Sequence, residues 1–195
     1  MTSKPVILAA LLAVATLSGC GTSPTAKFYK LGPEAVPAQV QTSYSVAIGA
    51  VTVPEMVDRP QIVIRAGANE VAINEFERWA GPLKNEIARA IADNLTQMLD
   101  GAIVFAYPQG ANVTADYKVL VDVQRFDSAL GDAATIEVLW QVRPAKGEPK
   151  IGRSTVREAT GSAGYDALAA AHNRALAAVS RDLANALRAA GAAAK

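Results

Sequence analysis

The chain has 195 residues with 19 basic and 18 acidic side chains, a net charge of +1 that offers no bulk attraction to nucleic acid or an anionic surface. A single cysteine excludes a disulfide framework, and a single histidine leaves too few ligands for a transition-metal site. The length suits one domain with a sizeable core.

The first element is an export signal. Lys4 supplies a positive start, and Pro5 to Leu17 is an almost unbroken run of small and apolar residues. That run is shorter than the ~20 apolar residues a bilayer-spanning helix needs, and it has the charged start and small-residue exit of a secretory signal. It closes on Leu17-Ser18-Gly19-Cys20. This tetrapeptide resembles the bacterial lipobox, in which the cysteine thiol takes diacylglycerol and the peptide is cut just before it. Residues 1–19 are therefore read as a lipoprotein signal peptide, and Cys20 as the lipidation site, carrying diacylglycerol and an N-acyl chain such as palmitate. The expected mature chain has about 176 residues. Each buried methylene contributes about 0.8 kcal/mol, and stable anchoring takes about two chains.

Residues 20–42 read as a lipidated N-terminus and flexible tether, rich in Gly, Ser, Thr, Pro, Ala and Gln. Within it, Phe28-Tyr29-Lys30-Leu31 is a candidate short strand. A single globular domain is expected over 43–191, with 192–195 as a tail. Val46, Ile48 and Ala50 alternate over Ser45 to Val53 and predict a strand that Pro54 stops. Gln61 to Arg65 and Glu70 to Asn74 predict a hairpin around Gly67-Ala68-Asn69. Pro82 opens a helix in which Leu83, Ile87, Ile91, Leu95 and Met98 share one stripe, and Asp100-Gly101 ends it. Ile103 to Tyr107 is a short strand. Tyr117 to Gln124, Thr135 to Val142 and Ile151 to Glu158 predict three meander strands with one wet face. Ser162 to Ala190 is an alanine-rich helix with a Leu168, His172, Leu176, Val179, Leu183, Leu187 stripe. Strands then helix, twice over, predict an α/β or α+β domain with two long helices packed on a mixed sheet.

Few residues suggest catalysis. His172 sits on an apolar stripe and reads as a partly buried packing residue. A Ser-His-Asp triad lacks a G-x-S-x-G elbow, and Gly161-Ser162-Ala163-Gly164 reads as the turn before the helix. A nucleotide-binding G-x-x-x-x-G-K-[ST] loop is missing as well. The reading is non-enzymatic, with no catalytic, metal or cofactor-binding residues.

Two segments stand out. In Val53-Pro54-Glu55-Met56-Val57-Asp58-Arg59-Pro60-Gln61, two prolines bracket an Asp-Arg pair and fix a rigid loop. In Glu75-Phe76-Glu77-Arg78-Trp79-Ala80-Gly81-Pro82-Leu83, an Arg-Trp pair precedes the helix, and both residue types serve as interface anchors. Pro54, Asp58, Arg59, Pro60, Gln61, Arg78 and Trp79 thus form a candidate partner or self-assembly surface. The competing reading has Asp58 pairing with an arginine and Trp79 capping the core.

The same residues carry a family resemblance. The patterns P-E-x-x-D-R-P-Q-I-V and R-W-A-x-P-L resemble the PqiC-type (YmbA-like) ABC-transport auxiliary lipoproteins, membrane integrity-associated transporter subunits. The lipobox, Phe28-Tyr29-x-Leu31, Arg125-Phe126-Asp127 and the strand through Trp140 lie where that family has similar features. The resemblance implies a fold like the amino-terminal domain of TolB and a periplasm-facing outer-membrane lipoprotein. It also implies an MCE-domain envelope-spanning protein and an inner-membrane permease as partners, in moving lipid between membranes and supporting envelope integrity. A homo-oligomeric ring or docking platform is implied as well, with membrane lipids but no nucleic acid among its contacts. Gly21 fits the outer-membrane address, since aspartate after the cysteine signals inner-membrane retention. A lipid-binding carrier and a structural or sensor lipoprotein are the alternative functions.

Overall fold

The computed structural model describes residues 24–34, 40–41 and 43–193. Cys20 and the signal segment lie outside the described residues. The strands are β1 (Lys27–Tyr29), β2 (Val40–Gln41), β3 (Ser45–Thr52), β4 (Gln61–Arg65), β5 (Val71–Trp79), β6 (Leu99–Asp100), β7 (Ile103–Phe105), β8 (Tyr117–Ser128), β9 (Ala133–Pro144) and β10 (Lys150–Ala159). The helices are α1 (Leu83–Met98) and α2 (Tyr165–Ala193).

A five-stranded mixed sheet runs β10-β9-β8-β3-β7. The expected meander forms its antiparallel part, while β3 lies parallel to both β8 and β7. A smaller sheet runs β1-β5-β4, with β1 parallel and β4 antiparallel to β5. The two helices pack against each other, α1 on β3 and α2 on β9 and β10. This is the predicted mixed α/β architecture.

Amphipathic periodicity explains the helices. Leu83, Ile87, Ile91, Leu95 and Met98 of α1 are buried, as are Leu168, His172, Leu176, Val179, Leu183 and Leu187 of α2. Each large aliphatic side chain placed there contributes about 1.5–3 kcal/mol. Gly161 and Gly164 precede α2 at positive φ, a conformation open to glycine at little cost. The helix reaches Ala193, so the expected tail from 192 is taken up at its start by α2.

Two bulges re-aim side chains that simple alternation misplaces. The β3–β8 register shifts between Ile48 and Val51, so Val51 turns inward and Ala50, expected in the core, is exposed. The β8–β9 register shifts between Val123 and Arg125. Tyr117, Val119, Val121 and Val123 point inward before it, Phe126 and Ser128 after it. An extra residue in one strand does this wherever it falls.

Residues 32–34, expected within a linker, are packed instead, together with Leu31, which was expected to end the first strand and lies just beyond it. Leu31 is fully buried. Its N–H donates to Glu86 Oε2 at 3.3 Å, the Gly32 N–H to Asn173 Oδ1 at 3.1 Å and the Glu34 N–H to Asn94 Oδ1 at 3.1 Å. Side chains of both helices therefore stand in for a neighbouring strand along this strap. Buried Glu86 also accepts from Arg89 at 2.6 Å. Glu86→Ala orphans the Leu31 N–H, which costs about 1–3 kcal/mol. The expected result is faster amide hydrogen exchange at residues 29–34, with β8 and β9 still protected.

Trp140 explains a strand glycine. Its partner across β9–β10 is Gly152, and a Cβ there would fall inside the indole ring. The indole N–H donates to Ser154 Oγ at 3.0 Å, and Ser154 donates to Asp182 of α2 at 2.6 Å. Gly152→Ala overpacks this corner, with an expected loss of about 1–3 kcal/mol and a changed Trp140 fluorescence maximum.

Candidate interaction surface

The first motif leaves β3 at Thr52 and makes a single 3-10 turn, Glu55–Val57. Val57 is buried and pins it. The turn closes through Val57 N–H to Pro54 O at 3.0 Å, Asp58 N–H to Glu55 O at 3.2 Å and Arg59 N–H to Val57 O at 2.9 Å. Pro60 then accepts the Trp79 backbone N–H at 2.8 Å, so the two motifs are joined by their main chains. Proline at 54 and 60 withholds donors that a ladder would need, which keeps this stretch a loop.

The side chains divide into three groups. Asp58 is held by Lys84 of α1 at 2.8 Å, a lysine rather than the arginine considered from sequence. Gln61 and Arg78, cross-strand partners in β4 and β5, both reach Glu75. Gln61 Nε2 donates to Glu75 Oε2 at 2.8 Å, and Arg78 Nε to the Glu75 carbonyl at 2.7 Å. Arg59 is exposed and makes no side-chain bond among the described residues. Pro54 is half-buried and Pro60 exposed at the two ends of the loop.

Trp79 belongs elsewhere. Only 4% of it is exposed, so its indole is a core group and is withheld from any partner. Alternation in β5 is the reason, since Arg78 faces out and Trp79 must then face in. The ring meets Phe126 and His172 edge-on, both at 6.0 Å between centroids. Phe126 and His172 stack in parallel at 4.0 Å. His172 is fully buried rather than partly so. Its Nε2 lies 2.8 Å from Ser128 Oγ, and its Nδ1 has no partner among the described residues. Burial pushes its pKa down to about 3, which keeps the ring neutral. Ser128 and His172 are sealed from solvent, and among the described residues no carboxylate bonds to either, so the pair serves packing.

Glu75 is the site residue that sequence reading passed over. Its three-residue spacing from Arg78 was the available signal, and Gln61 joins only through cross-strand pairing. Among the described residues, no group of three or more His, Cys, Asp or Glu is placed to hold a metal, and no helix is long and apolar enough to cross a membrane. An open groove of about 570 Å³ crosses the outer face of the large sheet, lined by Ala50, Leu120, Leu139 and Ile151.

A model of the ABC-type transport auxiliary lipoprotein component family matches residues 29–184, nearly the whole folded unit. The chain belongs to this family. These auxiliary lipoproteins are transport components rather than an enzyme family. No curated protein matches the chain. A crystal structure of an uncharacterized protein superposes with a TM-score of 0.71 at 19% identity, covering 84% of this chain and 99% of the other. The crystal structure of a Xanthomonas campestris protein of the DUF330 family superposes with a TM-score of 0.58 at 25% identity, covering 82% and 93%. Both similarities support the fold described above.

Proposed function

We propose that this auxiliary lipoprotein is a non-enzymatic, lipid-anchored docking subunit of an MCE-type system moving phospholipid between membranes. Cys20 holds it in the outer membrane, facing the periplasm, and Gly21 leaves it free of inner-membrane retention. Its partners are an MCE-domain envelope-spanning protein and an inner-membrane permease, and copies of the chain assemble into a ring or platform.

The observation that carries this reading is the family match over residues 29–184, which coincides with the packed unit. The loop Asp58-Arg59-Pro60 and the Gln61–Glu75–Arg78 cluster supply an adjoining surface for a partner or a second copy. Arg59 is the residue placed to anchor it, since it is exposed and its charge is uncommitted among the described residues. Trp79 supports that surface from beneath.

Two measurements test the reading. In membranes separated by density, the full chain is expected with the outer membrane, Cys20→Ser in the soluble fraction and Gly21→Asp with the inner membrane. Co-purification with the MCE-domain protein is expected to fall with Arg59→Glu at an unchanged melting temperature. Capture that survives Arg59→Glu removes this loop from the interface, and a soluble wild-type chain removes the anchor.

A further inference from the structure

The small sheet turns one side to solvent, and β1 completes it. Phe28 of β1, Arg78 of β5 and Gln61 of β4 are register partners in one row across its three strands. Register partners share a face, so these three side chains leave the sheet together. The opposite face holds the residues that alternate with them. Lys27 pairs there with Glu77 at 3.4 Å, and the Tyr29 hydroxyl donates to Glu77 at 2.6 Å. Glu77 is buried, so Phe76 and Arg78 on either side of it turn outward. Arg59 is exposed two residues before Gln61.

Phe28 is 64% exposed and Phe76 36%. Aromatic rings beside arginines are what the cores of protein interfaces are enriched in, and each ring takes about 150–250 Å² out of water when covered. Charge then selects the occupant. Against two arginines the face sets one carboxylate, Glu75, which Gln61 and Arg78 already occupy at 2.8 and 3.4 Å. Asp58 is committed to Lys84. Arg59 makes no side-chain bond among the described residues. A second copy presenting this same face brings two more arginines and no uncommitted carboxylate, which costs like-charge repulsion. A partner carrying carboxylates meets no such cost.

We propose that Phe28 is the apolar anchor of the docking surface, seated with Arg59 and Arg78 against an acidic segment of the partner protein. This rests on the reading of the chain as a docking subunit. It replaces buried Trp79 with Phe28 as the ring a partner covers, and it extends the surface from the two motifs onto β1. The ring supplies the area removed from water, and the arginines supply the selection for carboxylates.

The test measures capture of the MCE-domain protein by the full chain, and cross-linking from the photoreactive p-benzoylphenylalanine placed at position 28. Phe28→Ala is expected to weaken capture about tenfold, the loss typical of an interface anchor, at an unchanged melting temperature. Wild-type capture is expected to weaken as salt rises from about 0.1 to 1 M, and Arg59→Ala to flatten that dependence. Cross-links from position 28 are expected in an Asp- or Glu-rich segment of the MCE-domain protein. Capture undiminished by Phe28→Ala, or indifferent to salt, overturns the inference and leaves the docking reading standing. A lowered melting temperature for Phe28→Ala assigns the ring to packing and overturns it too. Cross-links to a second copy of this chain, or to lipid, overturn the acidic partner. A wild-type chain that captures no MCE-domain protein overturns the docking reading, and the inference with it.

Discussion

Trp79→Ala is expected to lower the stability of the folded unit by about 3–5 kcal/mol, the range for truncating a buried large aromatic. The indole packs edge-on against the Phe126–His172 stack, and neither ring can close the gap it would leave without breaking that stack. The Trp79 backbone also anchors Pro60, so a relaxed β5 end displaces the loop that carries Asp58 and Arg59. Partner capture should therefore fall together with the urea midpoint. Arg59→Glu should behave in the opposite way, with stability within about 0.5 kcal/mol of wild type and capture reduced. A midpoint unchanged by Trp79→Ala would contradict the core position of the ring.

The second large effect is on acid stability. His172 titrates near 6.5 in an unfolded chain, whereas burial pushes it down to about 3 in the fold. Between those values the unfolded chain binds a proton that the folded one refuses, so stability rises with pH there. The stability is fully present above pH 6.5 and is lost as pH falls toward 3, at about 1.4 kcal/mol per unit. At pH 4.5 the loss from this group is about 2.7 kcal/mol. His172→Phe keeps the stack on Phe126 and cannot titrate. Its stability should fall less than that of wild type from pH 6.5 to 4.5, by the same amount. Parallel pH profiles for the two proteins would show that water or a rearranged core lets His172 charge at no cost.

The helices and the meander were legible because their signals are local. Leu83, Ile87, Ile91, Leu95 and Met98 repeat at the helical period, and Ile136, Val138, Trp140 and Val142 at the strand period. The strap over residues 31–34 was not legible. Its hydrogen bonds run to Glu86, Asn94 and Asn173, each distant in sequence and none at a repeating interval. The bulges in β3 and β8 were missed because one inserted residue reverses alternation without changing composition. The candidate surface was half legible. Both motifs were found and are joined by main-chain bonds, yet Arg78 and Trp79, read as one anchor, point to opposite sides of β5. Glu75 emerged only once β4 and β5 were paired.

The strap has a consequence for the order in which the molecule can be made. Gly32 finds its acceptor on Asn173, 141 residues later, so the strap is complete only once the last helix exists. Closing the two ends is then among the final events, with the slowness that distant contacts impose. Until that closure, the polypeptide stays loose enough to be threaded through a narrow passage, and afterwards its two ends lock one another in place.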